Sequence, residues 1–325
     1  MNQTIIRWGI IGCGDVTERK SGPAYQKTEG FELHAVMRRN AEKAADYARR
    51  HNVPKWYDDA DALINDTEVD AVYIATPPDT HTFYALKVAA AGKTCCIEKP
   101  MAPSYAECEA ICEAFEAKGL PLFVAYYRRS LPRFLQVKQW IEEGHIGEVR
   151  HISWHLGRTP SPMDLSGQYF WRTDANIAPA GYFDDLASHG LDLFAHLFGK
   201  VKSASGHSLN QQGSYTAKDA VTGSWLHESG VTGVGTWNSG LSERADDVVI
   251  YGSKGKIEFA VFDEVPLVLT NGTGRQEAVI DHPENIQLYH VQNMREHLRG
   301  NIMHPSTGRA GAHTSWVMDK ILGTL

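Results

Sequence analysis

Through its first ~125 residues the chain repeats one pattern. A short, almost uninterrupted apolar run is followed by a longer stretch whose apolar positions recur at helical spacing. The apolar runs are Ile5–Ile11, Phe31–Met37, Val69–Thr76, Thr94–Glu98 and Leu120–Tyr126. The helical stretches between them are Asn40–Asn52, Asp79–Gly92 and Ser104–Gly119. The last opens on Ser104 with Glu107 three residues on, the signature of a capped N-terminus, and closes at Gly119. Runs that are apolar on every position fit strands buried on both faces, as in a parallel sheet. Their alternation with helices predicts a doubly wound α/β domain.

The pattern changes after about Arg128. Arg133–Gly144 reads as a helix. Beyond Gly147 the runs alternate apolar and polar, as in two-faced antiparallel strands: Glu148–Leu156, Ala220–Ser239, Asp246–Phe262 and Glu264–Gly272. "HESG" (His227–Gly230) and "GSKG" (Gly252–Gly255) read as hairpin turns, and "RADD" (Arg244–Asp247) as a solvated turn. One helical stretch, Tyr182–Gly199, interrupts this half, and two more, His290–Gly300 and Arg309–Leu322, close the chain. The expected fold is an α/β domain at 1–125 and an α+β domain at 126–325 with a large, mostly antiparallel open sheet. The helix at 308–325 is placed to pack back on the first domain.

Composition narrows the options. The 325 residues suffice for two domains with sizeable cores, so neither disulfide nor metal is needed for stability. A net charge of −7 argues against nucleic acid or an anionic membrane as partner. No apolar run approaches the ~20 residues of a membrane helix. The opening "MNQTIIRWGIIG" lacks a basic region and a cleavage site, so no leader is expected, and the reading is cytoplasmic. The five cysteines fit buried thiols in a reducing compartment. Cys95 and Cys96 should face opposite sides of one strand, and Cys108 and Cys112 lack the partners of a zinc set.

Gly12-Cys13-Gly14 ends the first apolar run and opens a helix. Such a turn lets backbone approach a pyrophosphate, and the N–H groups of Asp15 and Val16 stand at the helix start to bind it. Thr17 replaces the third glycine of the usual dinucleotide fingerprint, which implies looser helix–strand packing. Arg38 and Arg39 stand where an acid would bond the ribose hydroxyls of NAD. A guanidinium fork can instead grip a 2′-phosphate, so NADP(H) is preferred with NAD(H) as the alternative, unless these arginines are merely solvated.

Ligands of open α/β sheets sit at the carboxyl ends of the strands. Lys99, Glu98, Thr76, Pro77 and His81 all follow such ends. Lys99 reads either as a surface charge or as a group reaching the nicotinamide, with Glu98 tethering its turn and His81 lining the same wall. Asp185, His189 and Asp192 recur at helical spacing on an otherwise apolar helix, as a satisfied core histidine or as a set directed into a cleft. Tyr127 and Arg128 follow the last strand of the sheet, and Trp171 and Arg172 precede the second-half helix. Aromatic rings beside polar groups suit sugar faces.

Gly12-Cys13-Gly14, "EKP" at Glu98–Pro100 and Gly181-x-x-x-Asp185-x-x-x-His189 occur here in the order in which they recur in the glucose–fructose oxidoreductase/inositol dehydrogenase/rhizopine-catabolism (Gfo/Idh/MocA) family. The chain resembles that family over essentially its whole length, departing at "PAG" (Pro179–Gly181), Ala187 and Tyr127. The resemblance implies a Rossmann domain and a nicotinamide-dependent oxidoreductase acting on a sugar, cyclitol or related polyol. It implies Lys99, Asp185 and His189 as the catalytic set and no metal. A homodimer or homotetramer through the open sheet is expected. The rivals are an NAD-dependent glycosidase working by transient oxidation and elimination, and a non-catalytic nucleotide-binding regulator.

Overall fold

The computed structural model describes residues 5–325. The reading that no leader opens the chain falls on residues 1–4 and lies outside the described residues. Two compact units are present, Met1–Leu131 with Pro283–Ala312, and Pro132–His282 with His313–Leu325.

The first unit holds six strands: β1 (Ile6–Ile11), β2 (Phe31–Met37), β3 (Lys55–Tyr57), β4 (Ala71–Ile74), β5 (Thr94–Ile97) and β6 (Leu122–Val124). They pair in the order β3-β2-β1-β4-β5-β6, parallel throughout. This is the strand order of a dinucleotide-binding Rossmann sheet. Cys95 packs in one helical layer with Ile111 and Phe115, while Cys96 packs in the other with Trp8 and Tyr25. All five cysteines are buried and none is in a disulfide. Ser104 caps helix Tyr105–Glu116, its hydroxyl accepting from Glu107 N at 3.3 Å.

The sequence set a single boundary at residue 125, with the helix at 308–325 packing back on the first domain. The structure instead returns 283–312 to the first unit and keeps 126–131 there. The reason is burial. Val291 and Met294 of helix Leu288–Leu298 are fully buried among Trp8, Tyr25 and Phe31, each adding about 1.5–3 kcal/mol. Helix Gly308–Leu322 crosses the boundary, with residues to Ala312 in the first unit and the remainder in the second.

The second unit holds β7 (Val149–Gly157), β8 (Val201–Leu209), β9 (Ala220–His227), β10 (Thr232–Asn238), β11 (Ala245–Gly252), β12 (Gly255–Phe259), β13 (Leu267–Asn271) and β14 (Gly274–Ala278). They form one sheet, β14-β13-β12-β11-β7-β10-β9-β8, antiparallel except for β7 with β10. Both expected hairpins are present. Trp154, Trp225 and Trp237 are buried on the inner face against Phe194 and Phe183. A side chain at Gly190 would stand 2.3 Å from the Trp154 ring, so only glycine lets helix Ser188–Phe198 lie this close to the sheet. The "RADD" segment is not a solvated turn. Asp246 is buried, accepting from Trp154 Nε1 at 3.1 Å and Phe262 N at 2.6 Å.

Candidate active site

The parallel register sets one row of residues at the carboxyl ends of the strands. Ile11 pairs with Met37 and with Ile74, Ile74 with Ile97, and Ile97 with Val124. Gly12, Arg38, Ala75, Glu98 and Ala125 therefore follow the strands side by side. Gly12 has φ of +92°, and a Cβ there would meet the Ala75 backbone at 3.0 Å. A Cβ on Gly14 would have only Gly12 O nearby, at 3.9 Å, so the turn leaves an open cradle above it. That is the space a pyrophosphate needs, and the residues fit a dinucleotide. Gly12 and Cys13 both donate their N–H to Met37 O, at 2.9 and 3.2 Å. The donors left to face a phosphate are those of Gly14, Asp15 and Val16, at the start of helix Asp15–Arg19. Cys13 contributes backbone alone, since burial pushes its thiol up to about 11.

Thr17 does not loosen the packing. It is fully buried, its hydroxyl bonded to Gly14 O at 2.7 Å and its carbonyl to Tyr47 Oη at 2.8 Å. Close approach is provided by Gly22 instead, where a Cβ would stand 2.4 Å from both Thr17 O and Tyr47 Oη. Arg38 is half-buried, with Nη1 on Cys13 O at 3.3 Å, so its fork lies beside the glycine turn; Arg39 is exposed.

Two residues expected against the cofactor are spent within the protein. His81 is fully buried, with Nε2 at 2.8 Å from Thr76 O and Nδ1 at 3.1 Å from Pro100 O. Burial holds its pKa below the ordinary value. It ties the loop carrying Thr76 and Pro77 to the loop carrying Lys99 rather than lining a wall. Glu98 accepts from Tyr73 Oη at 2.5 Å and Gln287 Nε2 at 2.6 Å on one oxygen, and from Lys99 N at 3.1 Å on the other. It anchors the turn that presents Lys99, which is itself half-buried and followed by a cis peptide bond to Pro100. Tyr127 and Arg128 are buried, the guanidinium 5.1 Å from the Tyr127 ring centroid.

In the second unit the expected single helix begins as a π-helical turn, Phe183–Ala187, before the α-helix Ser188–Phe198. Wide turns of this kind are rare and frequently fall at functional sites. Asp185 is buried and accepts from Arg172 Nε at 2.6 Å, while the same guanidinium lies 4.2 Å from the Trp171 ring. Trp171 and Arg172 thus brace Asp185. His189 is 3% exposed, its ring edge-on to Phe262 at 5.7 Å. Asp192 is fully buried on Thr314 Oγ1 at 3.1 Å and belongs to the core. Gly181 has φ of +61° and meets Lys218 O, which explains why this glycine of "PAG" stays. A cavity of about 210 Å³ opens beside the π turn, walled by Phe183, Leu186, Trp237 and Phe262, with Arg158 and Lys218. It is smaller than the ~300–1,000 Å³ of most ligand pockets and has room for one small ring. Phe262 joins this wall to His189, a link no sequence spacing announces.

Burial pushes the Asp184 carboxyl up to about 7, the Ala180 N–H opposes the shift, and the charges of Asp319 and Asp185 add to it. The folded chain therefore holds a proton between about pH 4 and 7 that the unfolded chain releases, so stability falls as pH rises through that window. Asp184→Asn should recover about 1–2 kcal/mol at pH 8, discounted because the residue is only half-buried. It should also narrow the gap in melting temperature between pH 5 and 8; an unchanged gap would mean that Asp184 is ionised in the folded protein.

His34, Asp66 and Glu68 come close enough to hold a metal, but the Lys55 ammonium already bonds Asp66 at 2.9 Å and also Glu68. No helix among the described residues is long and apolar enough to cross a membrane.

A Rossmann sheet with a phosphate cradle, joined in one chain to a large antiparallel sheet, defines a two-unit NAD(P)-dependent oxidoreductase. Residues 6–126 match the oxidoreductase family with an NAD-binding Rossmann fold, and residues 134–258 match the GFO/IDH/MocA C-terminal domain. The chain is 36% identical over 320 residues to oxidoreductase P35 of Formosa agariphila, covering 98% of this chain and 99% of that one. It belongs to the Gfo/Idh/MocA oxidoreductase family. It is also 29% identical over 244 residues, 74% of its length, to the levoglucosan dehydrogenase of Pseudarthrobacter phenanthrenivorans, of which it spans 56%. A solved structure of a levoglucosan dehydrogenase in complex with NADH and levoglucosan shares the fold, with a TM-score of 0.86 at 23% identity over 98% of this chain and 96% of that one.

Proposed function

We propose that this oxidoreductase interconverts a hydroxyl and a carbonyl on a sugar, cyclitol or related polyol, with Lys99, Asp185 and His189 as its catalytic set. The observation that carries this is the anchoring of two chemically matched groups. Lys99 is presented by a buried carboxylate at a strand end in line with the phosphate cradle, and His189 is buried directly after a π turn that holds Asp185. The nicotinamide supplies the hydride acceptor, or the donor in the reverse direction. His189 takes the hydroxyl proton as the hydride leaves and returns it in reduction. Lys99 stabilises the negative charge that develops on that oxygen. Asp185, pinned by Arg172, keeps a fixed negative charge at the turn carrying the imidazole. Aromatic walls at Phe183, Trp237 and Phe262 suit the apolar face of a sugar ring, and the named activity of the levoglucosan dehydrogenase relative supports a carbohydrate substrate. Screening sugars, cyclitols and ketoses by the absorbance of reduced nicotinamide tests the reading. Turnover of none of them would end it, and glycoside cleavage without net cofactor reduction would replace it with the elimination chemistry of a glycosidase.

NADP(H) is the proposed cofactor, because the Arg38 fork beside the glycine turn can pair a 2′-phosphate. Arg38→Asp should lower the NADP-over-NAD ratio of kcat/KM on the order of ten-fold or more, the value of a charged hydrogen bond. An unmoved ratio would leave the preference without a basis. The outer face of the second sheet, with Val234 and Tyr251 each 43% exposed, is the proposed contact between copies of the chain, and the mass in solution is its check.

A further inference from the structure

Glu98 is an almost fully buried carboxylate, and burial without partners would be costly. Its partners are unevenly drawn from the sequence. Tyr73 comes from the neighbouring strand β4 and Lys99 N from the next residue, but Gln287 comes from the segment that returns to this unit 189 positions later. Gln287 is 1% exposed. Its Nε2 donates to Glu98 Oε1, while its own Oε1 is buried without a hydrogen-bond partner among the described residues. A buried acceptor left unmet is costly. An amide serving packing alone could turn or be replaced by an apolar group. This one is held in the orientation that serves the carboxylate.

The segment is fixed at its other side as well. Gln287 N donates to Lys20 O at 3.2 Å, Asn285 Nδ2 to Arg19 O at 2.7 Å, and Lys27 Nζ pairs with Glu284 at 2.7 Å. Arg19 and Lys20 end the helix that starts at the phosphate cradle. The strap 284–287 therefore spans from that helix to the base of Lys99.

We propose that Gln287 is a positioning residue for Lys99. It fixes the Glu98 carboxylate, which in turn fixes the backbone N–H of Lys99 and so the placement of the ammonium. The inference rests on the reading of Lys99 as catalytic. Gln287→Leu keeps the volume and removes the donor, while the backbone bonds of the strap, which serve the helix at the cradle, remain. It should lower kcat on the order of 10- to 100-fold, the cost of a small misplacement of a catalytic group, with cofactor affinity unchanged. In the protein without cofactor, amide hydrogen exchange at Lys99 should speed up. Tyr73→Phe, which removes one hydroxyl from the same carboxylate oxygen and leaves the ring in place, should move both readouts in the same direction if the leucine variant fails to fold. The deciding measurement is made in a Lys99→Ala background, where Gln287→Leu should cost nothing further. A further loss there, or unchanged kcat and exchange in the otherwise native protein, overturns the proposal. If Lys99→Ala itself leaves turnover intact, the reading of Lys99 fails first, and the exchange result still reports whether Gln287 holds the turn.

Discussion

Lys99→Ala should reduce turnover on the order of 100- to 1,000-fold, the usual cost of removing a group that stabilises charge on a reacting oxygen. The expectation follows from how much of the structure is committed to presenting this one residue. Glu98 draws three donors inward to hold the turn, and His81 ties the same turn to the strand end at Thr76. Those interactions involve the Lys99 backbone and its neighbours, so the alanine variant keeps the turn and loses only the ammonium. Cofactor affinity should be nearly unchanged, because the Gly12–Gly14 cradle and Arg38 are untouched. Steady-state rates with the best substrate of the panel, beside fluorescence titration with reduced cofactor, separate the two effects. Turnover within a few-fold of the native protein would remove Lys99 from the chemistry.

The sequence made the strands that matter legible because they are apolar on both faces, and such runs have few other uses. It concealed β3, since Lys55–Tyr57 is three residues long and mixes polar with aromatic positions. The glycine turn was plain, but the close approach moved to Gly22, outside the spacing of the fingerprint. His81 was found by position and misread in direction, whereas Glu98 does tether the turn as expected: a pattern along one dimension shows that a polar residue follows a strand, not which carbonyls or donors will claim it. Gln287 carried no local signal at all. Its role depends on a return of the chain that is held by the burial of Val291 and Met294 with Trp8 and by the bonds of residues 284–287 to the first helix. The same limit hid the brace on Asp185, since Arg172 reaches it from a separate short turn.

His189 is the residue on which the direction of proton flow depends. It is buried, so a change there would ordinarily threaten packing, and the substitution has to be chosen for shape. His189→Asn keeps a planar polar group of smaller size against the edge of Phe262 and cannot accept a proton near neutral pH. Turnover should fall on the order of 100- to 10,000-fold, the range for loss of a general base. Oxidation by the native protein should slow toward acid pH as the base becomes protonated. In the variant that acid-side limb should disappear, and residual oxidation should rise with hydroxide concentration because solvent becomes the proton acceptor. Reduction of the matching ketone should lose its alkaline-side decline, since the same imidazole must then donate. A general packing defect would lower both directions without changing either profile, and near-native melting would exclude unfolding as the cause. If the asparagine variant retains the native pH–rate profile at reduced amplitude, the proton leaves through another group and His189 is part of the wall.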